Sequence, residues 1–185
     1  MSRPLQDMTL EELSQLFPIV LTPHQQQWED WAKEEMLYLS VLLSKFSPTI
    51  NHIGSTAIPD IQSKPIIDIL VEINPATDWQ RLKKEMEVSG YICMASFDTR
   101  MSFNKGYTPE GYADKVFHIH IHTIDDNDEI CFRDYLRAHP EMAREYETLK
   151  IDLLSRFKTD RDAYTAAKSS FVRHITALAK SDSKF

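Results

Sequence analysis

Cysteine is scarce in this chain of 185 residues: only Cys93 and Cys131 are present. Two thiols are too few for a disulfide framework, and their apolar surroundings do not argue for a reactive thiolate. No basic, apolar and small-residue leader opens the sequence, and no apolar run approaches bilayer-spanning length. The expected location is therefore a reducing cytoplasm with no membrane contact. The four glycines fall in no Walker-type loop and no GxGxxG pattern, and no serine sits in a nucleophile elbow. Positive charge is also short. The formal net charge of -7 leaves no broad Lys/Arg footprint, which excludes a general nucleic-acid binder. It does not exclude a nucleotide ligand, because one lysine or a bound cation can supply a local positive field.

Ordinary globular composition is what remains, with 42% hydrophobic and 26% charged residues. Thr9-Leu-Glu-Glu reads as a capping box that opens a short helix to about Phe17. Thr22-Pro23 predicts the start of a longer helix, striped by Trp28, Trp31, Met36, Leu39, Leu42 and Leu43 as far as Phe46, and ended by Ser47-Pro48. Strands are expected over Thr49–Ile53, Ile66–Ile73, Tyr91–Asp98, Arg100–Tyr107 and Lys115–Thr123, with one helix between Pro75 and Gly90. Beyond Asp125 the chain reads as helical, broken near His139-Pro140 and around Thr159-Asp160. The order predicts one domain over 1–185, made of N-terminal helices (1–46), a sheet core (49–124) and C-terminal helices (128–180). Its class is α+β, built around one mixed sheet.

Three constellations could carry chemistry. Along Ile66–Ile73, residues Ile67, Ile69, Val71 and Ile73 form an apolar face, while Ile66, Asp68, Leu70 and Glu72 face the other way. A carboxylate on a strand is costly unless a cation or several donors meet it. Asp68 thus caps or pairs locally, or it ligates a metal such as Mg²⁺. "VFHIHIHT", from Val116 to Thr123, puts His118, His120 and His122 on one face, which suits Zn²⁺ or a merely solvated sheet face. His52 could join them. Gly54-Ser55-Thr56, after a strand, either lets donors approach a phosphate or simply turns the chain. Lys64 could neutralise a phosphate or be solvated. Tyr146/Lys150 and Tyr164/Lys168 are i,i+4 pairs that read as surface packing, although a basic helix face over the sheet would suit a polyphosphate.

"HIGSTAIPDIQSKPIIDILVEI", His52 to Ile73, resembles the signature of the GrpB-like family (UPF0157). Phe103-Asn-Lys-Gly106, Phe117-His-Ile-His120, "FRDYLRAHPEMAREYETLK" and "YTAAKSSFV" resemble further blocks of that family, in order, over roughly Trp28 to Ile175. Asp60 departs from it, since the family usually has Gly there. The resemblance implies the fold of the DNA polymerase beta-like nucleotidyltransferases, a mixed sheet flanked by helices with a helical C-terminal segment. It implies a nucleoside triphosphate, a divalent metal (Mg²⁺ or Mn²⁺, or Zn²⁺ if the histidines dominate) and transfer to an unknown acceptor. Carried over by residue, Asp68 becomes catalytic and a metal ligand, joined by His118, His120 or His122. Gly54, Ser55, Thr56, Lys64 and Lys105 become phosphate candidates, with Lys150 beside them. The second strand carboxylate of the superfamily falls on Leu70, which cannot bind a metal. Glu72 lies about 13 Å from Asp68 along an extended strand, too far to take its place. A non-catalytic nucleotide- or metal-binding module is the alternative that Leu70 favours.

Overall fold

A computed structural model describes residues 3–158 and 160–182. Helix α1 (Leu10–Leu16) opens on the expected capping box: Glu12 N–H donates to Thr9 Oγ1 at 3.2 Å, and Thr9 N–H donates to Glu12 Oε2 at 2.6 Å. Helix α2 spans Gln27–Leu42. It begins five residues after Thr22, because Thr22 instead exchanges backbone hydrogen bonds with Ser63 as an isolated antiparallel bridge. That distant pairing overrides the local Thr-Pro signal.

The sheet contains β1 (Thr49–Ile53), β2 (Ile67–Ile73), β3 (Ile92–Ser96), β4 (Arg100–Thr108) and β5 (Gly111–Thr123), in the order β1-β2-β5-β4-β3. Only β2 and β5 run parallel, and the other three neighbouring pairs are antiparallel. The sheet is therefore mixed and the class α+β. Helix α3 (Trp79–Val88), N-capped by Asp78, makes the crossover between β2 and β3. Three helices complete the chain: α4 (Asp128–Ala138), α5 (Pro140–Arg156) and α6 (Arg161–Ser181). Pro140 marks the break between α4 and α5 as the sequence indicates, whereas Thr159, at the second expected break, lies outside the described residues.

Both faces of β2 are covered. Ile67, Ile69, Val71 and Ile73 join Met101, Phe103, Phe117, Ile119 and Ile121 in a core closed by Trp28 and Leu39 of α2 and by Leu82 and Met86 of α3. A second apolar cluster unites Ile58 and Ile61, from the segment between β1 and β2, with Phe132 and Leu136 of α4, Tyr146 of α5 and Ile175 of α6. The C-terminal helices are thereby fastened over the sheet face that carries Asp68. Among the described residues no helix is long and apolar enough to cross a membrane.

Candidate nucleotide site

The parallel register of β2 and β5 sets Asp68 beside His118, Leu70 beside His120 and Glu72 beside His122. Side chains of matched residues share a face, so the carboxylate meets the imidazoles of His118 and His120. Asp68 Oδ1 lies 3.4 Å from His118 Nδ1 and 3.4 Å from His120 Nε2, and the aspartate keeps 28% of its side chain exposed. Burial pushes the Asp68 carboxyl up, but hydrogen bonds and charge from the two histidines outweigh it and hold the group well below the usual carboxylate range. His120 is raised in return, because Asp68 outweighs the desolvation that would lower it.

The histidines differ in role. Arg161 Nη2 donates to Tyr107 Oη at 3.3 Å, and Tyr107 Oη lies 2.7 Å from His118 Nε2. Tyr107 Oη thus accepts from Arg161 and pairs with His118 Nε2, which fixes the ring from behind. His118 Nδ1 faces Asp68. His118 is a support for the carboxylate, and His120 is the imidazole whose Nε2 remains beside it. His122 turns elsewhere: its Nδ1 is 3.3 Å from the Asp126 carbonyl and 3.8 Å from Glu129 Oε2. The three imidazoles of the strand do not converge on one point. Among the described residues no group of three or more His, Cys, Asp or Glu is arranged to hold a metal ion. A closed zinc centre needs three or four protein ligands. Asp68 Oδ1 and His120 Nε2, at 3.4 Å, instead fit an ion that takes its other ligands from phosphate and water.

The Gly-Ser turn presses on this carboxylate. Gly54 has φ +71°, and a Cβ added there would lie 2.4 Å from Asp68 Oδ2. Only glycine permits that approach in that conformation. The turn continues as a 3₁₀ segment, Ser55–Ala57, and two arginines of α4 hold its backbone: Arg133 Nη1 donates to the His52 carbonyl at 2.8 Å and Arg137 Nε to the Ala57 carbonyl at 2.7 Å. Thr56 is buried, with Oγ1 3.0 Å from His52 Nε2 and 3.4 Å from the Ile66 carbonyl. It fixes the turn from inside and is not presented to a ligand. His52 is likewise buried behind the turn, and desolvation lowers it to about 4.

Ser55 points toward the C-terminal helices, where its Oγ is 3.4 Å from Tyr146 Oη. Three lysines gather there. Lys150 is only 2% exposed, donates to the Gln62 carbonyl and lies 4.8 Å from the Tyr146 ring centre. Lys64 and Lys168 flank the Tyr164 ring at 5.3 and 4.7 Å. None of the three forms a salt bridge among the described residues, and the buried Tyr164 hydroxyl has no hydrogen-bond partner. Desolvation first, then the charge of Lys168, lowers Lys64 to about 8 and Lys150 to about 7. Mutually repelling cations in a partly buried place leave a local positive field, which Asp68 and Glu147 offset only in part.

Lys105 does not belong to it. Its register partner is Phe117, on the opposite sheet face, and it pairs with the buried Glu35 of α2 at 2.8 and 2.9 Å. Tyr91 donates to the same carboxylate at 2.5 Å. Leu70 is fully buried, and Glu72, nearly buried and raised by desolvation, remains far down the strand. On the other side of Asp68 opens a cavity of about 600 Å³, lined by Gly54, Asp68 and His120 and by residues of α4 and α6.

This sheet, with a Gly-Ser turn set against a strand aspartate, defines a protein of nucleotidyltransferase fold. Overlay on the Cid1 poly(U) polymerase bound to MgATP gives a TM-score of 0.54 at 10% identity, over 85% of this chain and 52% of that one. Residues 18–178 match the GrpB protein family, and the chain belongs to it. The crystal structure of GrpB from Enterococcus faecalis superposes with a TM-score of 0.74 at 31% identity, covering 86% of this chain and 96% of that one. A UPF0157 protein of Pseudomonas aeruginosa is 41% identical over 133 residues, 70% of this chain but only 54% of that relative's length.

Proposed function

We propose that this chain binds a nucleoside triphosphate across Asp68 and transfers its nucleotidyl group to an acceptor hydroxyl. One observation carries the reading: a strand carboxylate, locked against a Gly-Ser turn, stands between three lysines that form no salt bridge among the described residues and an open cavity. The terminal phosphates lie toward Ser55, Lys64, Lys150 and Lys168, where charge-assisted donors meet them. The polymerase neighbour bound to MgATP supports a triphosphate as ligand through its shared fold. Asp68 and His120 would hold a divalent ion, Mg²⁺ or Mn²⁺, that enters with the phosphates; such an ion neutralises charge that develops on the transferring group.

In the transfer, the acceptor oxygen forms a bond to the α-phosphorus. The bond from that phosphorus to the oxygen bridging to the β-phosphate breaks, pyrophosphate leaves with the electron pair, and the hydroxyl proton passes to water. The chain's own residues act on this step by position. Arg133 and Arg137 fix the turn, the Arg161–Tyr107–His118 chain aims Asp68, and the lysines stabilise the leaving pyrophosphate. The test is pyrophosphate release from each nucleoside triphosphate with Mg²⁺ or Mn²⁺ and mixed acceptors. Release should fall at least 100-fold in Asp68→Asn, with nucleotide affinity changed far less. Nucleotide binding without release under any metal would make the chain the non-catalytic module that Leu70 favours.

A further inference from the structure

The cavity beside Asp68 has a direction. Lys64 precedes Asp68 in the chain and Lys168 lies in the first half of α6, so the lysine cluster sits toward one end of both elements. The cavity is lined by His120 and Arg100 toward the other end of the sheet, and by Arg173, Thr176 and Lys180 in the second half of α6. Thr176 is eight residues beyond Lys168, a displacement of about 12 Å along the helix. Asp68 stands between the two. In phosphoryl transfer the attacking and leaving oxygens lie roughly in line on opposite sides of phosphorus. With pyrophosphate leaving toward the lysines, the attacking group comes from the cavity.

The walls describe what the cavity takes. Its volume of about 600 Å³ is that of a small-molecule site. Phe132 and Val172 supply apolar surface, and the acidic Asp128 and Glu129 oppose a polynucleotide, which needs a cationic track. Most of the charge is already matched. Arg100 binds Asp126 through two hydrogen bonds of 2.6 Å, and Lys180 binds Asp128. Two groups of opposite sign lack a hydrogen bond. Arg173 has no hydrogen bond or ion pair among the described residues. Glu129 Oε2 is buried with no hydrogen-bond partner, 3.8 Å from His122 Nδ1.

We infer that the acceptor is a small zwitterion with a nucleophilic hydroxyl, its ammonium held by Glu129 and its anionic group by Arg173. This rests on the transfer reading given above, but it is tested by binding. Backbone amide spectra of the full chain are titrated with L-serine and L-homoserine, and with ethanolamine, glycerate and glycerol as partial mimics, each with and without a non-hydrolysable triphosphate analogue. The expected result is that the zwitterions alone shift the amides of Glu129, Arg173 and Thr176, and that Glu129→Gln and Arg173→Gln each weaken this binding at least tenfold. Arg173 is exposed, so its variant keeps the fold even if the other does not. Equal binding of a singly charged or neutral compound overturns the inference, as does binding of none. So does a loss of analogue affinity in either variant, which would assign the cavity to the nucleoside. An analogue that fails to bind at the lysines sinks the transfer reading alone and leaves the zwitterion titration readable.

Discussion

Gly54 and Asp60 both occupy left-handed backbone, at φ +71° and +62°, with opposite consequences. At Gly54 the conformation is also a contact: Gly54→Ala adds strain and drives a methyl into the Asp68 carboxylate. It should cost about 2 kcal/mol in urea denaturation, and pyrophosphate release should fall with it, because Asp68 must move. At Asp60 a side chain already bears the strain, where the family usually has glycine. Asp60→Gly relieves it and should stabilise the chain by about 0.5 kcal/mol, the steric relief exceeding the entropy glycine loses. Such positions were partly legible in the sequence. The departure at Asp60 was visible, but not its φ. The alternation grouped His118, His120 and His122 on one face of their strand and set Asp68 apart from the apolar face of its own, because a strand's period of two is local; that the two faces coincide follows from the β2–β5 pairing. The burial of Thr56 and the turning of His122 toward Asp126 were not legible, since both depend on partners that local spacing does not specify.

At the level of elements, α2 and β4 are joined by a polar triad beneath the sheet. Glu35 of α2, 6% exposed, accepts from Lys105 of β4 and from Tyr91, which precedes β3. Lys105→Met leaves that carboxylate buried with one partner fewer. The expected loss is roughly 2–3 kcal/mol of unfolding free energy, below the fully buried range because the lysine is partly exposed. Nucleotide affinity, followed by calorimetry, should stay within twofold, since Lys105 lies across the sheet from Asp68. A phosphate role for Lys105 would produce the opposite pattern. The sequence could not separate these outcomes: the face of Lys105 follows from the β4–β5 register and from the bulge near Gly106, and strand order is not written in local periodicity. The same limit left Lys150 and Lys168 open. Their i,i+4 spacing to tyrosines fits a surface stripe as well as a basic face over the sheet, until α5 and α6 are packed over the turn.

For the molecule as a whole, the lysine cluster lies against Tyr146 of α5 and Tyr164 of α6, with Lys64 three residues before β2, so a ligand there ties the C-terminal helices to the sheet. Binding only to the folded chain stabilises it by about 2.7 kcal/mol at one hundred times Kd, or roughly 5–10 °C in Tm for a chain of this size. Tripolyphosphate at pH 7 should give a shift of that order, and Lys168→Ala should remove most of it. The pH dependence has a definite sign. Lys64 and Lys150, lowered to about 8 and about 7, lose charge as pH rises through that window, so the shift should shrink between pH 7 and 9. Without ligand the trend reverses. Unfolded lysines bind protons that the folded ones resist, so the free chain loses stability as pH falls from above 10 toward 7. Thermal melts at three pH values, with and without tripolyphosphate, check both arms.

Leu70 closes a route as well as leaving a gap. It is wholly enclosed, opposite His120, in a strand covered on both faces. A carboxylate returned to that position would meet Asp68's existing imidazole partners and a packed interior before it met any ion. A single Leu70→Asp exchange therefore does not restore a two-carboxylate centre; the histidines of β5 would have to change with it. The packing itself excludes a second carboxylate at this position, and His120 on the neighbouring strand holds that exclusion in place.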